Sequence, residues 1–308
     1  MKTVIIRADS SYRIGTGHIM RDLVLAEREF SGSRVIFAVR DLPGNINHRI
    51  KAAGFDTVLL HSDSIEELIS LVIEKNAETV VLDHYGIGIE EEKKLKKAAD
   101  TTLFVLDDLY EPHYCDTLLN HNIYAVPERY RGLVPPGCIV RCGPAHTLVR
   151  KEFDAVLQKN FPASTKSGTV FVAMGGSDHS GISLSVLKVL ERFGNLDIDI
   201  VTTSANTKIG ELRRGIETLH NRVRLHIDSD SVAQLMGRCR FGIVTPSVVL
   251  NEMFYLKKPF IAIQTVENQR EMVDFLEKEK LPVLRKFDAD ALESEVKAMF
   301  KTLEREKK

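Results

Sequence analysis

The sequence predicts an α/β protein made of two parallel-sheet domains in tandem. Short β-branched runs alternate with longer stretches of helical period along the whole chain, which is the pattern of βαβ units. The 308 residues suit about two domains at roughly 150 residues each. A stretch mixing Pro, Ser and Gly without periodicity then interrupts the pattern near the middle, after which the pattern starts afresh.

In the first half, strands are expected at residues 4–8, 34–39, 57–60, 79–83 and 103–106. Each is a compact apolar run, as fits a strand buried on both faces of its sheet. Residues 9–18 form a glycine-bearing turn that hands over to a helix starting near Ile19. Ile65, Leu68, Ile69 and Val72 recur at helical spacing, and residues 90–97 set acids ahead of bases on one helical face. Short runs at 117–119 and 139–140 complete a first domain assigned to residues 1–158. Residues 159–167 read as a linker.

The second domain, residues 168–308, repeats the order with strands at 169–173, 198–202, 223–227, 242–245 and 260–264 and a closing helix over 289–303. Both halves therefore predict Rossmann-like sheets. Open α/β sheets take ligands at the carboxyl ends of their strands, so two such domains are expected to face one another across a cleft.

Composition narrows the function classes. Apolar residues make up 44% and charged residues 28%, far from the composition of disordered chains. The 42 Lys and Arg against 43 Asp and Glu leave a net charge of −1, which provides no global attraction to nucleic acid or an anionic membrane. An early charge at Arg7 interrupts the first apolar run, and no stretch approaches the length of a membrane span, so a cytoplasmic protein is expected. Cys115, Cys138, Cys142 and Cys239 lack paired spacing and read as reduced core residues. The histidines show no metal-ligand spacing, and Asp228-Ser229-Asp230 reads as a helix cap, so neither a catalytic metal nor a cofactor is expected.

Three turns at strand ends carry the candidate chemistry. The first, from Asp9 to His18, has Gly15 and Gly17 but Met20 where a dinucleotide fingerprint needs glycine, and no Walker lysine follows. It delivers His18 to a helix N-terminus, where the dipole favours a neutral imidazole able to take a proton; packing of the helix end is the other reading. The second, Met174-Gly175-Gly176-Ser177-Asp178, exposes backbone N–H groups for an anion or is an ordinary βα turn. In the third, Pro246 and Ser247 start a helix whose Glu252 can accept hydrogen bonds from a ribose diol or stand as a surface acid. Asn268 and Gln269 add amides beyond the last strand, while Asp83-His84-Tyr85-Gly86, Asp107-Asp108 and Asn120-His121-Asn122 form a polar set suited to a sugar.

Taken together, Gly15-Thr16-Gly17-His18, Gly175-Gly176-Ser177, residues 247–252 and Asn268-Gln269 resemble the GT-B glycosyltransferases that attach N-acetylglucosamine to lipid I. Further residues are similar to the UDP-2,4-diacetamido-2,4,6-trideoxy-β-L-altropyranose hydrolases of pseudaminic acid biosynthesis: 7–11, 15–23, Asp83-His84-Tyr85-Gly86, 132–135 and Arg141-Cys142-Gly143. The resemblance implies a GT-B-like fold and metal-independent hydrolysis of a UDP-sugar at the anomeric carbon with inversion. It implies His18 as base, with Tyr85 and Asn268 near the reacting sugar and diphosphate. Gly176 and Ser177 would meet the diphosphate, Ile227 the uracil through its backbone, and Glu252 the ribose. Gly17, Asp83, His84, Ser247 and Gln269 complete the expected substrate-binding set. Pro246 departs from the small residues usual at that helix start and removes one backbone donor. A glycosyltransferase with a sugar or lipid acceptor, and a nucleotide-sugar-binding module without catalysis, remain the competing readings.

Overall fold

A computed structural model describes residues 1–159 and 169–305, so the expected linker, apart from Lys159, lies outside the described residues, as does Gly168. The chain divides into two compact units, Met1–Leu148 and Val149–Lys308.

The first unit runs β1 (Thr3–Ala8), α1 (Gly17–Glu29), β2 (Arg34–Arg40), α2 (Asn47–Ala52), β3 (Asp56–Leu60), α3 (Ile65–Glu74), β4 (Thr79–Asp83), α4 (Ile89–Ala98), β5 (Thr102–Leu106), β6 (Thr117–Asn120) and β7 (Ile139–Cys142). All pairings are parallel, in the order β3-β2-β1-β4-β5-β6-β7. The central strands are buried on both faces. Ile5, Val80 and Leu82 pack on one side with Leu68 and Val72 of α3 and Leu95 of α4, while Ile6 and Val81 pack on the other with Ile19 and Leu25 of α1. That double burial is why the strand sequences lack polar alternation.

The second unit contains α5 (Lys151–Gln158), β8 (Val170–Ala173), α6 (Ser183–Leu190), β9 (Asp197–Thr202), α7 (Ile209–Ile216), β10 (Arg222–Ile227), α8 (Val232–Arg238), β11 (Phe241–Val244), α9 (Val248–Tyr255), β12 (Phe260–Ile263), α10 (Arg270–Lys278), β13 (Val283–Leu284) and α11 (Ala289–Arg305). Its sheet, also parallel, has the order β10-β9-β8-β11-β12-β13. In each unit the order reverses beside the first strand, between β1 and β4 and between β8 and β11, which places a topological switch point there. Among the described residues no helix is long and apolar enough to cross a membrane.

Two expectations are corrected. Helix α1 starts at Gly17, ahead of Ile19, so His18 sits inside its first turn. The division between the units falls at Leu148–Val149 rather than at residues 159–167. Helix α5 precedes the linker in sequence but bonds to α9: Arg150 Nε donates to Glu252 Oε1 at 3.0 Å, and the Tyr255 hydroxyl donates to Asp154. Turn-forming composition marked where the chain is punctuated, whereas side-chain partners decide where a helix packs.

Candidate active site

In the first unit, the turn after β1 closes on itself through Gly15 N–H donating to Ser11 C=O at 2.9 Å and Ser11 N–H to Gly15 C=O at 3.3 Å. Gly15 adopts φ +86, a left-handed conformation that glycine takes without steric cost. The turn thus delivers Gly17 and His18 to the switch point, beside the end of β4. His18 Nδ1 lies 2.8 Å from Asp83 Oδ1 and 3.2 Å from the Asp83 carbonyl oxygen. With two acceptors facing it, Nδ1 of the neutral ring carries the proton and Nε2 keeps its lone pair. This constraint is more specific than the helix dipole invoked from sequence.

Arg21, one helical turn beyond His18, donates through Nε to Asp83 Oδ2 at 2.7 Å and through Nη2 to Asp83 Oδ1, while its Nη1 reaches Asp108 Oδ2 at 3.0 Å. Burial alone would raise the Asp83 pKa, but the charges and hydrogen bonds of Arg21 and His18 outweigh it and hold the carboxyl well below its ordinary range. Asp83 is 1% exposed, with both oxygens engaged by His18 and Arg21. Neighbouring Asp22 is wholly buried, and burial together with the Asp83 charge pushes its pKa well up. His121 is pulled down to about 3 by burial, with the Arg21 charge adding, and stays an uncharged imidazole.

Tyr85 stands half exposed beside this network, its ring edge-on to His18 at a centroid distance of 4.9 Å. His84 turns the other way. Its Nδ1 accepts from Gly86 N–H at 3.0 Å and its Nε2 faces Asp9 Oδ2 at 3.3 Å, so both nitrogens have partners within the first unit. Asp9 is gripped by Arg7 at 2.8 and 2.9 Å and by Arg40 Nε at 2.8 Å. Against the opposing effect of burial, His84, Arg7 and Arg40 hold its pKa far below the carboxylate range. Asp9, Asp63 and His84 bring three potential metal-ligand side chains together, two carboxylates and one imidazole. Arg7 and Arg40 also pair with Asp63, which matches two carboxylates with two guanidiniums and makes the cluster an internal salt network.

In the second unit, the loop after β8 is shaped by its neighbour. The Gly176 carbonyl accepts from Thr203 N–H at 2.9 Å, Thr202 Oγ1 at 3.0 Å and Thr203 Oγ1 at 2.9 Å. Because a trans peptide sets C=O and the following N–H in opposite directions, the Ser177 N–H points away from that loop. Gly175, at φ +81, makes the turn possible. At α9, Ser247 occupies the N-cap without using its side chain there, and its hydroxyl lies 3.0 Å from Thr245 Oγ1. Helix α9 opens at Val248, shortly after β11 ends at Val244, so its first-turn amides lie beyond the carboxyl end of that strand. β10 is an edge strand, and Asp228 N–H donates to Thr202 C=O, so the Ile227 carbonyl of the same peptide points outward from the sheet. Asp228 also accepts from Ser204 N–H at 3.1 Å, bracing the loop after β9 instead of capping α8.

Glu252 is 5% exposed, not a surface acid. Burial raises its pKa, and Arg150 opposes that rise through its charge and hydrogen bond. Gln269 is buried, and its Oε1 accepts from Thr265 N–H at 2.8 Å, so it fastens its own loop rather than offering a free amide oxygen. Asn268, just before it, is exposed. Sequence reasoning gave no role to Arg21 or Arg150. The spacing of Arg21 to His18 was the available signal for the first; no local pattern joins Arg150 to Glu252.

The chain is 38% identical over 284 residues to the UDP-2,4-diacetamido-2,4,6-trideoxy-β-L-altropyranose hydrolase of Campylobacter jejuni subsp. jejuni serotype O:2, which covers 92% of this chain and 99% of the relative. No family model matches it. Among solved structures it is similar to Acinetobacter baumannii MurG, with a TM-score of 0.65 at 8% identity over 98% of this chain and 92% of that one. The spinosyn rhamnosyltransferase SpnG complexed with spinosyn aglycone gives 0.66 at 13% identity, again over 98% and 92%. UDP-GlcNAc 2-epimerase from Neisseria meningitidis gives 0.59 at 11% identity with the same coverage. These structural likenesses establish the GT-B fold. The sequence likeness goes further, and the chain belongs to the UDP-2,4-diacetamido-2,4,6-trideoxy-β-L-altropyranose hydrolase family.

Proposed function

We propose that the protein hydrolyses a UDP-linked 2,4-diacetamido-2,4,6-trideoxy sugar at the anomeric carbon, with inversion, releasing UDP and the free sugar. The carrying observation is the pairing of His18 Nδ1 with Asp83 at 2.8 Å, which directs the basic Nε2 away from its holder. In this reading Nε2 takes a proton from water as the water oxygen bonds to the anomeric carbon. The carbon–oxygen bond to the β-phosphate breaks and its electron pair leaves with UDP. Asp83 stabilises the imidazolium that forms, while Tyr85 and Gly17 border the sugar. UDP departs as an anion and needs little proton assistance.

The second unit holds the nucleotide. Ser177 N–H and the amides opening α9 donate to the diphosphate, beside Gly176 and Ser247, and Asn268 approaches the same group. The outward carbonyl of Ile227 accepts from uracil, and Glu252 accepts from the ribose hydroxyls. These donors replace a metal at the diphosphate.

Hydrolysis in water enriched in oxygen-18 tests the bond assignment. The label is expected on the released sugar with none on UDP. Label in UDP means attack at phosphorus and overturns the mechanism; sugar transfer that requires an added acceptor overturns hydrolysis in favour of a glycosyltransferase.

A further inference from the structure

We propose that Asp108 is a positioning residue that acts on the substrate through Tyr85. The inference rests on the reading that Tyr85 approaches the sugar, and it adds the residue that aims it. The Tyr85 hydroxyl lies 3.1 Å from Asp108 Oδ1 and 3.0 Å from Oδ2. Arg21 Nη1 donates to the same Oδ2 at 3.0 Å, so Asp108 meets Tyr85 as a carboxylate and the hydroxyl is the donor.

Two consequences follow from that direction. A half-exposed aromatic side chain at a strand end has little packing to fix its torsions. Here it is held at both ends, by Asp108 at the hydroxyl and by the edge-on contact with His18 at the ring. In addition, a phenol has one proton. With that proton committed to Asp108, Tyr85 can bond a substrate only as an acceptor, and the matching substrate group is a donor such as an acetamido N–H. Asp108 itself is fixed by Arg21, whose guanidinium also grips Asp83. One cation therefore ties the holder of the base to the holder of the tyrosine.

The test is a double-mutant cycle in the full chain with the UDP-linked diacetamido sugar as substrate, reading kcat and KM separately. In D108N the amide oxygen can still take the Arg21 N–H, while its NH2 turns a donor toward the phenol and reverses the hydrogen bond. Y85F is expected to lower kcat/KM by about 10-fold or more, D108N by a similar factor, and the double variant to be no worse than Y85F alone within roughly twofold. A D108N loss that persists in full when residue 85 is Phe overturns the positioning role. Wild-type kcat/KM in Y85F instead removes Tyr85 from the sugar and the proposal with it, which separates the two failures. Should D108N not fold, D108E keeps both acceptors on a longer arm and enters the same cycle, with the same loss of additivity required.

Discussion

Replacing Asp83 by Asn tests whether His18 depends on the carboxylate behind it. Asp83 accepts two bonds from Arg21 and one from His18 Nδ1, and is 1% exposed. Breaking a buried ion pair costs about 3–5 kcal/mol when the stranded charge has no other partner. Arg21 retains Asp108 at 3.0 Å, which puts the expected loss near the lower figure, about 3 kcal/mol. For a unit of this size that amounts to a melting-point drop of roughly 6–12 °C. The catalytic loss should be larger in proportion. An amide can turn its NH2 toward Nδ1 and favour the tautomer with the proton on Nε2, which removes the base and slows turnover by about 10²- to 10⁴-fold. Circular dichroism melting and a coupled assay of UDP release give the two quantities on one preparation. Combined with His18→Asn, Asp83→Asn should cost little more, since both remove the same proton acceptor. A folded Asp83→Asn protein with wild-type kcat would refute the tautomer argument, and a double variant slowed by the product of the single effects would refute the coupling.

Three further outcomes are expected. Glu252→Ala should raise KM and weaken UDP binding by calorimetry with little change in kcat, because a ribose contact is shared by ground and transition states; unchanged UDP affinity removes Glu252 from the ribose. His113 lies 2.6 Å from Glu92 Oε1 and 3.7 Å from Asp107 Oδ1, and although burial opposes its charge, these two carboxylates raise it to about 9. Its stabilising contribution, up to about 3 kcal/mol, should be complete below pH 6.5 and disappear as pH rises through about 9, so melting midpoints independent of pH from 7 to 10 in comparison with His113→Gln would contradict the pairing. Finally, treatment with a chelator should leave activity intact; activity restored only by added magnesium or manganese would show that the backbone donors of the second unit do not suffice.

The parallel sheets were legible because central strands buried on both faces must be apolar throughout, as residues 4–8 and 79–83 are. The place of His18 at a helix N-terminus was legible for a different reason: a glycine-bearing turn between strand and helix puts the residue after it in the first helical turn. Long-range pairing was not. Nothing near Asp83 in the sequence shows that Arg21, 62 residues away, occupies its second oxygen, or that Arg150 reaches Glu252 across 102 residues. Asp83, His84 and Tyr85 are consecutive, yet the chain leaves β4 at Asp83 and turns, sending one to His18, one to Asp9 and one to the surface. A run of polar residues therefore pointed to the end of β4 but could not separate the two side chains held within the unit from the one that faces outward.

The attachment of α5 to the second unit sets where the polypeptide can be cut. A fragment begun at residue 168, where the new run of strands opens, would discard Arg150 and Asp154 and strand the buried Glu252 carboxylate without its cation. It would also strip from α8 the helix that carries buried Phe153 and Val156. A fragment begun at Val149 keeps all of these. The shortest heritable or engineered form of the second unit that keeps these contacts is thus longer than its sheet, and its first helix is part of the unit that follows it in sequence, not of the one it appears to finish.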